Sequence, residues 1–250
     1  AYIKTKEECE KMLMEAKTTF EPGTKIEYSD LNYIFLGKIV ESISGMRLDE
    51  FAKKNIFEPL DMVDSCYNPT DAMRCAPTED RNDDVVKGIV RGHVHDETSY
   101  ILGGTAGHAG LFSTAKDIAK FLQMILNNGV HNGQQYLSPA TIEAMYRPSV
   151  KQNVGLSVRP LQRTIGWILN DYNSAAGDLT SDETIYHTGF TGTCVWVDRK
   201  NEVAFAMLSN RVHPTRGNGK HIEIRAKVAN YIMAHLEEIK GEIKNACKTI

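Results

Sequence analysis

Tyr28-Ser29-Asp30 sets a phenol and a carboxylate two residues apart, just after a turn and at the mouth of a helix. From a loop both side chains can point into one cleft. The same three residues also suit a packed Tyr and a helix N-cap. His187-Thr188-Gly189 closes a run rich in Thr, Ile and Tyr. Gly189 has no side chain, so a ligand could come close to the backbone there. Ser113-Thr114-Ala115-Lys116 offers a hydroxyl at a helix start with an amine one turn on. That hydroxyl is either a nucleophile beside its base or a helix cap. His93, His95, Asp96 and His108 could supply nitrogen and oxygen ligands to a metal, or they could hydrogen-bond within a loop and shape a cleft. Their spacing matches no zinc motif, and no metal or cofactor is expected.

These residues need a scaffold. Glu21-Pro22-Gly23-Thr24 is a turn, and apolar residues at Leu31, Ile34, Phe35, Ile39 and Ile43 predict a helix opened by Ser29 or Asp30 and stopped by Gly45. A second helix is predicted from about Leu48 to Ile56, before Pro59. Residues 64–95 are rich in Asn, Asp, Pro and Arg and read as long irregular structure. A glycine-rich turn spans 103–110, and Ser113 is read as the cap of a helix through Ile118, Phe121, Leu122 and Ile125. Ser138-Pro139 opens a short helix. Beyond it, Thr164–Leu169, Thr184–Thr188, Thr193–Asp198 and Glu202–Leu208 read as strands, with Asp198–Asn201 a hairpin turn. One long amphipathic helix from about His221 to Lys244 closes the chain, with Ile224, Val228, Tyr231, Ile232 and His235 or Leu236 on one face. The order predicts an α+β protein with helices packed on an antiparallel sheet. Residues 1–160 are mostly helical with long loops, and residues 161–250 hold the strands and the last helix.

Composition narrows the function classes. The 250 residues hold 29 Lys and Arg against 32 Asp and Glu, a net charge of −3. No cationic excess is available for nucleic-acid phosphates. No apolar run reaches the roughly 18–20 residues that span a bilayer. Five cysteines (Cys9, Cys66, Cys75, Cys194 and Cys247) include no C-x-x-C pair and read as free or buried thiols.

Taken together and in order, the motifs resemble the serine β-lactamase and penicillin-binding-protein family, in particular its class C-like branch. Pro22-Gly23-Thr24-x-x-x-Tyr28-Ser29-Asp30-x-x-Tyr33-x-x-Leu36-Gly37 is similar to the Tyr-x-Asn region. Phe57-Glu58-Pro59-Leu60-x-Met62 follows it, Gly110-Leu111-Phe112-Ser113-Thr114-Ala115-x-Asp117 resembles a common helix entry, and His187-Thr188-Gly189 takes the place of the Lys-Thr-Gly strand. Val94–Glu97, Gly107–Gly110, Thr188–Thr193 and Asn210–Pro214 resemble a narrower branch that includes N-acetylmuramoyl-L-alanine amidases.

The resemblance implies a single β-lactamase/DD-peptidase-like domain over 1–250, present in part. It implies a serine hydrolase that acylates and deacylates on amides or esters of cell-wall peptides: an amidase, D,D-peptidase or esterase. By the same resemblance Tyr28 is the general acid/base, Asp30 its neighbour, and His187 stands for the cationic strand residue, which would make that charge pH-dependent. Thr188, Gly189, Phe190, His95 and His108 line the substrate cleft, with the Phe190 N–H as one oxyanion donor.

In the family the nucleophilic Ser-x-x-Lys precedes the Tyr motif. Here only 27 residues precede Tyr28, they hold no serine, and the one Ser-x-x-Lys follows it at Ser113. Ser113 is therefore read as a cap. The chain reads as the C-terminal part of such a domain, able to self-associate through an uncovered sheet edge. A catalytically inactive module binding peptidoglycan fragments and a metal-assisted hydrolase are the competing readings. Expected ligands are peptidoglycan-derived peptides or β-lactam-like small molecules, and the expected location is the bacterial envelope or the extracellular space.

Overall fold

The computed structural model describes residues 5–83, 85–153, 160–171 and 174–248. The chain divides into one unit of Ala1–Gln123 with Asn210–Asn218 and a second of Met124–Ser209 with Gly219–Ile250.

In the first unit a capping box opens α1 (Lys6–Glu15): Glu8 N–H donates to the Thr5 hydroxyl, and Thr5 N–H to the Glu8 carboxylate. Its buried Cys9 and Leu13 cluster with Ile34 of α2 (Asp30–Ser44) and with Leu102 and Ala106. Ser29 holds the N-cap position of α2, and Gly45 ends that helix at φ 68°, its N–H on the Glu41 carbonyl. The outer face of α2 leaves Leu36, Ile39 and Ile43 exposed. The helix predicted to Ile56 stops sooner. α3 (Leu48–Ala52) passes into a wider π-turn over Lys53–Phe57, and Phe57 and Leu60 are both buried.

Residues 64–95 are less irregular than expected. They contain β1 (Cys66–Tyr67) and the hairpin of β2 (Asp80–Asn82) and β3 (Lys87–Ile89). After α4 (Glu97–Ile101), β4 (Leu111–Phe112) pairs antiparallel with β1. α5 (Ala115–Leu126) follows, with Leu122 and Ile125 buried.

Residues 210–218 act as a strap on this unit. Asp80 N–H donates to the Pro214 carbonyl at 2.8 Å, and the Arg216 guanidinium and backbone N–H both bond Glu79, at 2.6–3.0 Å. Arg81, buried, bonds Asp83 at 2.6 Å, Glu97 at 2.9 Å and the His95 carbonyl at 3.0 Å. Buried charge is tolerable here because each ion has partners.

The second unit begins with the small hairpin of β5 (Val130–His131) and β6 (Gln134–Gln135). α6 (Pro139–Met145) has the predicted Ser138 cap, whose hydroxyl accepts from Thr141 N–H at 3.1 Å. A six-stranded antiparallel sheet comprises β7 (Val150–Gln152), β8 (Leu161–Arg163), β9 (Ile168–Leu169), β10 (Thr184–Thr188), β11 (Thr193–Asp198) and β12 (Val203–Leu208). Its order is β12-β11-β10-β9-β8-β7, so every neighbour in space is a neighbour in sequence. The helices α7 (His221–Ala234) and α8 (Leu236–Lys248) follow.

Tyr186, Cys194 and Trp196 of the sheet form the core with Ala175, Ala176 and Ala229, and Phe205 stacks on Trp196 at 5.2 Å. The predicted strand Thr164–Leu169 is instead a turn and a short strand. Gly166, at φ 78°, folds it back, and Thr164 N–H donates to the Trp167 carbonyl. The single C-terminal helix is in fact two, parted at His235. The buried face of α7 carries Arg225 and Ala229, while Ile224 and Tyr231 are exposed, because the small Ala229 packs into the Trp196 cluster. Among the described residues no helix is long and apolar enough to cross a membrane.

Candidate active site

The glycine-rich turn reaches α2 through two glycines. A Cβ on Gly107 would lie 1.9 Å from the Tyr33 carbonyl oxygen, and one on Gly37 would lie 3.1 Å from the Gly107 nitrogen. Only bare backbone allows that contact, and it carries the next residue, His108, toward the start of α2. Asp96 arrives from another direction as the N-cap of α4, its Oδ1 accepting from Ser99 N–H at 2.7 Å. The same oxygen lies 2.7 Å from His108 Nε2, and since a carboxylate only accepts, that nitrogen carries the proton. Asp30, Asp96 and His108 bring one donor atom each to within 4.8 Å of one another, a set that could hold a divalent ion. Tyr28 lies close enough to Asp30 for that carboxylate to act on the phenol.

The electrostatics of this cluster favour a protonated phenol. Desolvation raises the Tyr28 proton affinity above its ordinary value, and the Asp30 and Asp96 carboxylates raise it further. The side chain is 81 % exposed, so the carboxylates weigh more than the desolvation. Burial works against ionised Asp96, but hydrogen bonds from His108 and the Ser99 N–H outweigh it and hold that carboxyl below the usual range.

The other histidines of this stretch are engaged elsewhere. The His93 ring packs on Tyr100 with centroids 5.0 Å apart. His95 is buried, with Nδ1 3.0 Å from the Thr78 hydroxyl and Nε2 3.8 Å from Glu79.

Ser113 is not the cap of α5. That place belongs to Thr114, whose hydroxyl accepts from Asp117 N–H at 3.3 Å. The Ser113 hydroxyl shares a 2.7 Å hydrogen bond with Ser65, whose hydroxyl also donates to buried Asp117. The helix starts one residue late because β4 runs to Phe112 and Ser113 is spent on tying that strand end to Ser65. Lys116 is exposed, and among the described residues no hydrogen bond joins it to Ser113.

In the second unit, His187, Thr188 and Gly189 form the end of β10. β9 pairs with Ile185 and Tyr186 and goes no further, so its ladder stops before this motif. On the other side Gly189 N–H donates to the Thr193 carbonyl, and Gly192 N–H returns to the Gly189 carbonyl, making a tight turn to β11. The bare Gly189 backbone leaves room for the Thr193 hydroxyl, which would lie 2.2 Å from a Cβ there. Phe190 is exposed at the tip of the turn.

His187 Nδ1 lies 3.0 Å from the Thr188 carbonyl, which can only accept, so Nδ1 carries the proton and Nε2 presents a lone pair. Burial pushes this imidazole below its ordinary value. The Thr188 carbonyl pulls the other way, and the Arg163 charge adds to the lowering. His187 is thus a hydrogen-bond acceptor at Nε2 when neutral, and burial confines its charge to lower pH than for a free imidazole. Arg225 was not anticipated. Buried in α7, it donates to the Gly189 carbonyl at 3.3 Å and braces the turn. An arginine on an otherwise apolar helix face was its only trace in the sequence.

The first unit thus carries an exposed Tyr–Asp pair backed by an Asp–His pair, and the second a strand ending in His-Thr-Gly. The family model for Beta-lactamase matches residues 2–230, and the chain belongs to that family. It is 34% identical over 230 residues to an Escherichia coli O157:H7 protein named "Putative D-alanyl-D-alanine carboxypeptidase", covering 85% of this chain and 51% of that protein. The chain spans about half the length of the curated relatives it matches. Among solved structures it resembles a β-lactamase from Mycobacterium bovis (TM-score 0.62, 17% identity, 88% of this chain and 67% of that one). It also resembles simvastatin synthase from Aspergillus terreus (TM-score 0.66, 16% identity, 92% and 61%). At these identities the structural likeness speaks for the β-lactamase/penicillin-binding-protein fold alone.

Proposed function

We propose that this chain supplies the Tyr and His-Thr-Gly parts of a serine hydrolase that acylates and deacylates on amide or ester bonds of cell-wall peptides. Residues 1–250 would be part of one catalytic domain. Tyr28 is the proton carrier, Asp30 its partner, Thr188 and the β10 edge hold an extended peptide, and the Phe190 N–H is one oxyanion donor. His187 accepts a hydrogen bond through Nε2 and does not anchor an anion by charge. His108 acts through Asp96, and His95 serves the buried ion network in place of substrate. The nucleophile lies outside this sequence. The observation that carries the reading is the Asp30–Asp96–His108 cluster beside the exposed Tyr28 in a chain of this family. The name of the Escherichia coli relative favours peptidoglycan peptides as substrates, and with them an envelope or extracellular location. Self-association at the outer edge of β12 belongs to the same proposal.

The test is incubation with a fluorescent penicillin and with muropeptides, read by intact mass. The 250-residue chain should take up no adduct, and a protein extended upstream to the relatives' length should take up one. An adduct on Ser113 would refute the assignment. Muropeptide binding by the extended protein with neither adduct nor turnover would favour an inactive binding module, the reading that the Ser65-bound Ser113 supports for this chain alone.

A further inference from the structure

We infer that Arg225 is a positioning residue: from α7 it locks the Gly189–Phe190 peptide in the direction that aims the Phe190 N–H at the substrate edge of β10. The Gly189 carbonyl and the Phe190 N–H belong to one peptide unit. That unit is planar and trans, since the cis bond among the described residues is His213–Pro214. In a trans unit the two groups point in opposite directions, so whatever holds the carbonyl also aims the N–H.

Two donors hold that carbonyl. Gly192 N–H reaches it at 3.2 Å across the turn, and the Arg225 guanidinium reaches it at 3.3 Å. Gly189 N–H donates to Thr193 of β11, so the carbonyl of the same residue faces β11 and α7. The Phe190 N–H faces the other way, toward the side on which β9 ends its pairing at Tyr186. The turn bond alone is a weak lock, because many four-residue turns do without it. Gly189 weakens it further. With no Cβ, its ψ rotates with little steric resistance, and rotation there turns the whole peptide over. A reversed peptide would present a carbonyl oxygen where a developing oxyanion needs a donor. Arg225 opposes that reversal. It is only 6 % exposed, and turning the peptide would take an acceptor from a buried cation, which is costly. Its charge also polarises the carbonyl and, through the peptide resonance, makes the Phe190 N–H a stronger donor.

The inference rests on the Phe190 N–H as the oxyanion donor proposed above. That assignment is judged by acylation of the extended protein, whereas the lock is read without nucleophile or substrate, so the two fail in different measurements. Amide hydrogen exchange of the 250-residue chain, followed by 15N NMR, compares two glycines. Gly192 N–H loses its acceptor whenever the Gly189 carbonyl turns away. Gly189 N–H sits on the preceding peptide and keeps its 2.8 Å bond to Thr193 whichever way the next peptide points. Arg225→Met keeps an unbranched side chain and removes the donor. In it Gly192 should exchange at least about tenfold faster than in the parent, while Gly189 and Ile185 keep their rates. Arg225→Lys, one bond shorter but still a charged donor, should restore most of the protection. Arg225→Gln, two bonds shorter, repeats the test should Arg225→Met fail to fold. Gly192 exchanging unprotected in the parent, or unchanged in a folded Arg225→Met or Arg225→Gln, overturns the inference. So does an Arg225→Lys protein as fast as Arg225→Met. Equal acceleration of Gly189 and Gly192 overturns it too, and makes Arg225 a packing brace for the whole turn.

Discussion

Gly107→Ala puts the contact between the glycine turn and α2 under direct load. The new Cβ would sit 1.9 Å from the Tyr33 oxygen and 2.8 Å from its carbonyl carbon, and both are backbone atoms of a helix that cannot swing aside. A gap of roughly 1 Å must open for ordinary contact, which places the change at the upper end of overpacking costs, about 3 kcal/mol. The loss of freedom in the unfolded chain returns about 0.4–1 kcal/mol. The net expectation is a destabilisation of about 2 kcal/mol, or roughly 4–8 °C in Tm. Urea and thermal unfolding followed by circular dichroism measure it. Gly217→Ala is the control, since nothing lies within 4 Å of a Cβ there, and it should stay within about 0.5 kcal/mol of the parent. The displaced turn also draws His108 from Asp96. A Gly107→Ala protein as stable as Gly217→Ala would refute the close-contact reasoning.

Two further outcomes are expected. Thr114→Ala should cost about 1 kcal/mol as the loss of a true cap, and Ser113→Ala should cost less; the reverse order in urea unfolding would return the cap to Ser113. His187 has a depressed folded value, so the unfolded chain takes up its proton first and stability falls as pH drops below about 6.5. His187→Gln, which cannot titrate, should flatten that fall between about pH 7 and 5, and an unchanged slope would show that burial does not act on His187 as argued.

Local signals explain what could be read in advance. Thr184–Thr188 and Thr193–Asp198 are β-branched, aromatic and flanked by turn residues, and their predicted bounds match β10 and β11. Gly45 and Ser138-Pro139 act within one turn of helix and were equally legible. What escaped depends on partners distant in sequence. The α7 face was misplaced because periodicity cannot tell which of two adjacent apolar stripes meets Trp196. The cap moved from Ser113 to Thr114 because Ser65, 48 residues away, claims the Ser113 hydroxyl. Asp96 and His108 were noted as possible ligands, but their meeting with Asp30 needs the Gly37–Gly107 contact, and a glycine in sequence does not say what it lies against. The neutral His187 follows from burial, which the letters His-Thr-Gly do not record.

The strap of residues 210–218 has a consequence for the order in which a ribosome releases this protein. Glu79 and Arg216 are 137 positions apart, so at about 5–20 residues per second Arg216 is made on the order of ten seconds after Glu79. Through that interval the β2–β3 hairpin exists without the Pro214 carbonyl for Asp80, and Glu79 must remain hydrated and not buried. The sheet of the second unit has no such delay, because each of its strands finds its partner in the strand made just before. Nascent chains arrested before Asn210 should therefore be cut by protease around residues 79–90, and those arrested well beyond Asn218, with the strap outside the exit tunnel, should be protected there.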